Sequence, residues 1–325
     1  MTSTLRLVGL LLFALMSVAL GVVVGAVDLT IGQVLLAIAG EGDDSTLSIV
    51  RGLRLPRAVL AGLVGAALAA SGATFQALLR NPLAEPYILG VSGGAAVGAV
   101  GAMVLGWTMF GAIPVAAFAG AIVAILLVLR IAASVGPTLD TRVLLLAGVV
   151  VGAFFNACIL LALTFADTES FRSAIFWLMG SLSGATWRGC GMLALYMVPG
   201  IAILIALSRS LNLLALGEDA AAYLGTRVER TKLIAYGTAS LLTAAAVAVS
   251  GVIGFVGLII PHVIRLVWGS DYRFLIPASA LLGASFLILA DALARTVAAP
   301  TELPVGVVTA LIGVPMFVWL LRRAG

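Results

Sequence analysis

Charged residues stand far apart in this 325-residue chain, and what separates them is almost wholly apolar. A charge is costly at the centre of a bilayer and a helical span takes roughly 20 apolar residues, so the gaps between charges measure the spans. Arg6 to Asp28 encloses one span, long enough to read as an uncleaved helix despite the small residues near Ala26. Arg57 to Arg80 encloses a second. Glu85 to Arg130 holds 44 uncharged residues, broken by a turn-like stretch from Gly106-Trp107 to Pro114, and so encloses two. Arg142 to Asp167 gives the fifth and Cys190 to Ser208 the sixth. Between Lys232 and Arg265 the 32 uncharged residues are interrupted at Ser250-Gly251 and Gly254, which suits one full helix followed by a short one. Arg273 to Arg295 and Glu302 to Arg322 complete the set. The Gly- and Ser-rich segment from Phe171 to Trp187 is too short to span and reads as a re-entrant or interfacial piece.

The expected architecture is therefore an all-α membrane protein, a polytopic bundle of about ten transmembrane helices. It forms a single transmembrane domain over residues 1–325. With 62% of residues apolar and 10% charged, a soluble domain of any size, a disordered chain and a nucleic-acid binder are all excluded. An N-in/C-in orientation places 12 of the 18 Lys and Arg residues, Arg322 and Arg323 among them, on the cytoplasmic side. Gly65, Ala69 and Ala73, and likewise Gly90, Gly94 and Gly98, recur every fourth residue, a spacing that lets helix backbones approach closely. Ser71-Gly72 with Pro82, and Ser250-Gly251 with Pro261, form an internal echo; an inverted repeat and chance in a Gly-rich chain both account for it.

Residues able to carry chemistry are few. His262 has no second His or Cys at ligand spacing, and Cys158 and Cys190 offer neither metal spacing nor a disulfide framework, so no metal site is expected. The one lysine, Lys232, lacks the preceding glycines of a phosphate-binding loop, so the chain cannot hydrolyse ATP by that route. A transporter of this kind is driven either by an ion gradient or by a separate ATPase. An ion-coupled carrier or channel needs a mid-membrane ionisable group, yet Asp291 sits four residues before Arg295, where an i,i+4 ion pair is the simpler account. Asn156 is the notable polar group inside a span, suited to an interhelical hydrogen bond or to lining a pathway.

Two segments suggest partners. The cytoplasmic stretch 209–232 contains Glu218 and Asp219 at the start of a short helix, a smooth face of Ala220, Ala221 and Ala222, the apolar Leu224, and Gly225 as a stop. Such a helix can lie in a groove of another protein, or be a surface loop. On the opposite side Arg51, Arg54 and Arg57 repeat every three residues; they can clamp carboxylates of a partner or snorkel to headgroups.

At these residues the sequence resembles the FecCD-type permease subunits of type II ABC importers, which take up iron-siderophores, heme and cobalamin. The likeness rests on Arg54-Leu55-Pro56-Arg57, on SGATFQALLRNPLAEP from Ser71 to Pro86, and on LGVSGGA from Leu89. It continues in LALGEDAA from Leu214, GFVGLIIPHVIR from Gly254 and ELPVGVVTA from Glu302. The resemblance implies a type II importer permease fold in a bacterial inner membrane and a pairing with a second copy. It also implies two ATPase subunits that bind ATP and Mg, so the chain itself needs no cofactor and is no enzyme. The ATPases would receive a coupling helix at Gly217 to Gly225, and an outer substrate-binding protein would meet Arg54, Arg57 and Arg295. Gate positions would fall near Leu83 and Thr141, although Asp140 puts a charge where relatives can carry small hydroxyl residues.

Overall fold

The structure, a computed structural model, describes residues 3–25, 27–107, 109, 111–136 and 139–324, with side chains given as far as 319. Ala26 and the side chains of Arg322 and Arg323 lie outside the described residues.

Charge-free runs become helices. The helices α1 (Ser3–Val23), α4 (Leu55–Leu78), α6 (Ala112–Val135), α7 (Thr141–Thr164), α9 (Trp187–Ala206), α12 (Val228–Ser250) and α14 (Tyr272–Thr296) each include a stretch long and apolar enough to cross a membrane. Three apolar helices are shorter: α5 (Val91–Val104), α13 (Val256–Trp268) and α15 (Val305–Ala324, described in full to Trp319). Between them lie α2 (Ile31–Ala39), α3 (Asp44–Leu47), α8 (Thr168–Leu178), α10 (Ser208–Leu216) and α11 (Glu218–Tyr223). The segment expected to be re-entrant or interfacial, Phe171 to Trp187, divides between the later part of α8, which Asp167 N-caps, and a non-helical stretch at 179–186 that leads into α9.

Helix α4 is the axis. From Ala66 to Leu78 every residue is buried, and α14, α12, α13 and α9 pack around it. Small residues make this possible. A Cβ on Gly65 would lie 2.2 Å from the Gly283 carbonyl of α14, and one on Gly72 would lie 1.9 Å from that of Gly257 in α13. The α5–α6 contact uses the same device, because Cβ atoms on Gly94 and Gly98 would strike the carbonyls of Gly120 and Ala116. With lipid outside and no hydrophobic difference between lipid and core, such close packing is what holds a membrane bundle together. Gly90 does something different from the packing its spacing suggested: with φ +76° it precedes α5 and ends the 3₁₀ turn Pro86–Leu89.

The internal echo does not mark equivalent structures. Ser71-Gly72 lies inside α4, whereas Ser250-Gly251 ends α12; Pro82 is in a loop and Pro261 within α13. The break between α12 and α13 is held by the 85–87 loop instead. Glu85 Oε1 accepts from the Phe255 N–H at 2.8 Å, and the Tyr87 hydroxyl donates to the Ile253 carbonyl at 2.8 Å.

Candidate functional site

The start of α4 and the end of α11 belong to opposite ends of the bundle, and polar side chains are organised at both.

At the α11 end, the 209–232 stretch is mostly helical. Helix α10 stops at Gly217 (φ +128°), α11 follows, and Gly225 (φ +83°) turns the chain toward α12. Glycine suits both positions because side chains resist positive φ. Ala221 is fully buried, while Tyr223 is 92% exposed and Leu224 and Leu216 also face outward. The inward side is tied down by polar contacts. Glu218 Oε2 lies 3.0 Å from Lys232 Nζ on α12, and Glu218 Oε1 lies 3.5 Å from the Thr141 hydroxyl at the start of α7. That hydroxyl is also 3.3 Å from the Leu78 carbonyl at the end of α4. Lys232 is almost entirely buried and has a second carboxylate, Glu229, at 3.6 Å; Glu229 in turn accepts from the Leu139 N–H at 2.8 Å.

Helix α10 has its own anchor. Asn212 donates to Asp271 Oδ1 at 2.7 Å and accepts from the Tyr272 N–H at 2.9 Å, where Asp271 caps α14. Hydrogen bonding to Arg273, with a smaller contribution from Asn212, lowers the Asp271 carboxyl to about 2. Asp140, out of keeping as a gate-lining charge, is the N-cap of α7, accepting from the Arg142 N–H at 2.7 Å. Leu83 sits half-open in the loop after α4, its N–H bonded to Asn81 Oδ1 at 2.9 Å. Asn156 is exposed on α7, in one helical stripe with Leu146, Val149 and Leu160.

At the other end, Asp291 is buried among arginines. Arg57 Nη2 reaches its Oδ1 at 3.0 Å and Arg295 Nε its Oδ2 at 3.1 Å, so the i,i+4 pair read from the sequence is present with a third member. Arg57 also holds Glu302 at 2.8 Å. Arg54 and Arg295, each 5% exposed, turn inward in this structure. They satisfy carbonyls left open where α1 ends. Arg54 donates to Val22, Val23 and Val27, and Arg295 to Gly21 and Val24. A π-wound stretch, Ser48–Arg54, leads into α4 and delivers Arg54 to this position. Gly25 leaves the space it needs, since a Cβ there would meet the guanidinium at 2.8 Å.

Sequence reasoning did not find the Glu218–Lys232–Thr141 junction or the place of Arg57 beside Asp291. The single lysine of the chain, 14 positions after Glu218 and just before the apolar run of α12, was the available signal for the first. Cys190 is buried with its thiol toward the Pro56 carbonyl, and Cys158 is a free thiol on α7. Among the described residues no three His, Cys, Asp or Glu side chains group to hold a metal.

Seven long apolar helices, with a short helix clamped at one end of the bundle, are the architecture of a multi-pass membrane protein. The comparisons agree. A profile of the FecCD transport family matches residues 10–323. The chain belongs to that family. It is 42% identical over 323 residues to the uncharacterized ABC transporter permease protein YvrB of Bacillus subtilis, covering 96% of this chain and 91% of that one. It is 44% identical over 275 residues to the vitamin B12 import system permease protein BtuC of Escherichia coli, covering 84% of this chain and 83% of the relative. With the cobalamin import system permease protein BtuC of Halobacterium salinarum it shares 48% over 274 residues, 84% of this chain and 73% of that one. A solved metal-chelate type ABC transporter in an inward-facing conformation superposes with a TM-score of 0.88 at 32% identity, covering 98% of both chains.

Proposed function

We propose that this chain is the permease subunit of an ATP-driven importer for a bulky metal chelate of the iron-siderophore, heme or cobalamin class. Two copies form the pathway along their shared axis, each a single membrane domain over 1–325. In this reading α1, α4, α5, α6, α7, α9, α12, α13, α14 and α15 are the spans, both termini are cytoplasmic, and α10–α11 projects from the inner face. Two ATPase subunits, which bind ATP and its magnesium, receive α11; a binding protein delivers cargo at the outer face.

The observation that carries the proposal is the two-sidedness of α11. Its outer side offers Tyr223 and Leu224, which are exposed, beside Asp219, an arrangement suited to a partner's groove. Its inner side is bonded through Glu218 to α12 and to the first residue of α7. ATP-driven closure of the ATPases would push on the outer side; Glu218 would pass the displacement to Lys232 and Thr141. Helix α7 would then tilt, and its stripe carrying Asn156 would open or close the path, with Leu83 beside it at the inner mouth.

Selectivity would come from the binding protein, which is consistent with the apolar stripe on α7. For docking, Arg57 is the arginine best placed to change partners, because Glu302, 43% exposed, could yield its place to a carboxylate of the binding protein. Arg54 and Arg295 would set the shape of that surface through α1. A proton- or sodium-driven carrier would need a carboxylate free to exchange its ion, and Asp291 is held by two arginines. The test is affinity purification of the tagged chain from its native membrane. The importer reading requires an ATPase to accompany it, and requires a flexible linker in place of Gly217–Gly225 to abolish both that association and uptake. Uptake surviving the linker would defeat it.

A further inference from the structure

A cavity of about 760 Å³ has no lining residue on α7 or α15 and no part in the coupling described above. It lies between α6, α9 and α12 at the end of the bundle that carries the arginine cluster. Its floor is buried and apolar: Leu60, Leu193, Ala245 and Ala248. It opens between Val115 of α6 and Met192 and Tyr196 of α9, all exposed, on faces whose neighbours Leu126 and Leu195 are exposed and apolar too. A tilted contact between the Phe118 and Tyr196 rings, 5.4 Å apart, adjoins that opening. Toward the aqueous end the lining takes in Thr186 and Arg188 at the start of α9, beside Trp107 and Met109 of the α5–α6 loop; among the described lining residues Arg188 alone carries a charge.

We infer that this cavity binds a phospholipid of the surrounding leaflet, its acyl chain against Leu60 and Ala248 and its anionic headgroup at Arg188. The helices forming the mouth are read as crossing the membrane, so the medium bathing it is hydrocarbon rather than water. An empty apolar cavity of this size would forfeit packing contacts that an acyl chain supplies. The volume falls within the range of sites that enclose a small ligand. Charge and apolar surface are ordered along the membrane normal as they are in a lipid, with a guanidinium at headgroup level matching a phosphate. Cargo has no such reason to enter from the side. The inference rests on the membrane reading and not on the importer mechanism, so it can fail while that mechanism stands.

Two glycines on the lining make the test clean. A Cβ at Gly184 meets nothing within 4 Å, and one at Gly189 meets only Thr186 at 3.4 Å, so both positions on the cavity wall accept a Cβ without a clash. The transporter, with its ATPase, is reconstituted in nanodiscs of equimolar phosphatidylglycerol and phosphatidylethanolamine, re-extracted, washed and weighed by native mass spectrometry. Retained phosphatidylglycerol is expected on the wild type. Gly184→Phe and Gly189→Leu should each reduce it about tenfold with subunit composition unchanged, and Arg188→Gln should lower the preference for phosphatidylglycerol about fivefold. No retained lipid, equal retention in the filled variants, or loss of the second permease copy in them would overturn the inference; the last would make a second copy the occupant.

Discussion

Glu218 on α11 and Lys232 on α12 form a 3.0 Å ion pair in which the lysine is nearly inaccessible and the carboxylate one-third exposed. The exposed partner is the one on the protruding helix, so a push on α11 reaches a charge that cannot find water if the pair separates. Stiffness of that kind is what a force-transmitting contact needs.

Glu218→Gln should therefore uncouple rather than unfold. Lys232 keeps Glu229 at 3.6 Å, so the stability cost stays at about 1–2 kcal/mol, while uptake per ATP hydrolysed falls about tenfold. Lys232→Met should produce the same defect, and the double variant should be no worse than either alone. ATPase and uptake rates measured together on the four proteins check this by a double-mutant cycle.

Asp291→Ala would leave Arg57 and Arg295 facing each other with one buried carboxylate gone. Removing one member of a buried charge cluster costs about 3–5 kcal/mol. Glu302→Gln, at a more exposed carboxylate, should cost less than about 1 kcal/mol. Thermal unfolding of the purified variants should rank them in that order, and a large loss for Glu302→Gln would count against the arrangement.

Gly72→Ala should prevent accumulation of folded protein, because its methyl would have to displace the Gly257 backbone of a neighbouring helix. Gly101→Ala, in α5 with open space around it, should be neutral or slightly stabilising. Size-exclusion profiles of the two variants after detergent extraction distinguish them.

The clamp between α10 and α14 has a defined acid limit. The Asp271 carboxyl is lowered from 3.8 to about 2, so its contribution is fully present above the higher value and is lost as pH falls through the lower one. Hydrogen exchange in residues 208–216, corrected for intrinsic rates, should be constant from neutral pH down to about 4 and rise only below that. A rise beginning near neutrality would show that another group holds α10.

Helix positions were legible because a charge is so costly in lipid that spacing alone bounds each span. The Asp291–Arg295 pair was legible because four residues on a helix fix its geometry. What the spacing did not reveal is long-range. Arg57 meets a carboxylate 234 residues away, and Arg54 turns inward only because a π-wound segment and the end of α1 meet there. Gly90 fitted a packing register, yet a four-residue spacing cannot tell a glycine inside a helix from one that starts it. Within 209–232 the short helix of α11 was legible from its acidic start and its glycine stop, whereas α10 and the ties supplied by α7, α12 and α14 were not.

On the function proposed above, force enters this permease from an ATPase through α11. Cargo accumulation in sealed vesicles holding the permease, its ATPase and the binding protein tests it most directly, with and without internal ATP and with the ATPase omitted. Accumulation is expected only when ATPase and ATP are both present, undiminished by ionophores that collapse ion gradients. Accumulation by the permease without the ATPase, driven by an imposed proton or sodium gradient, would contradict it.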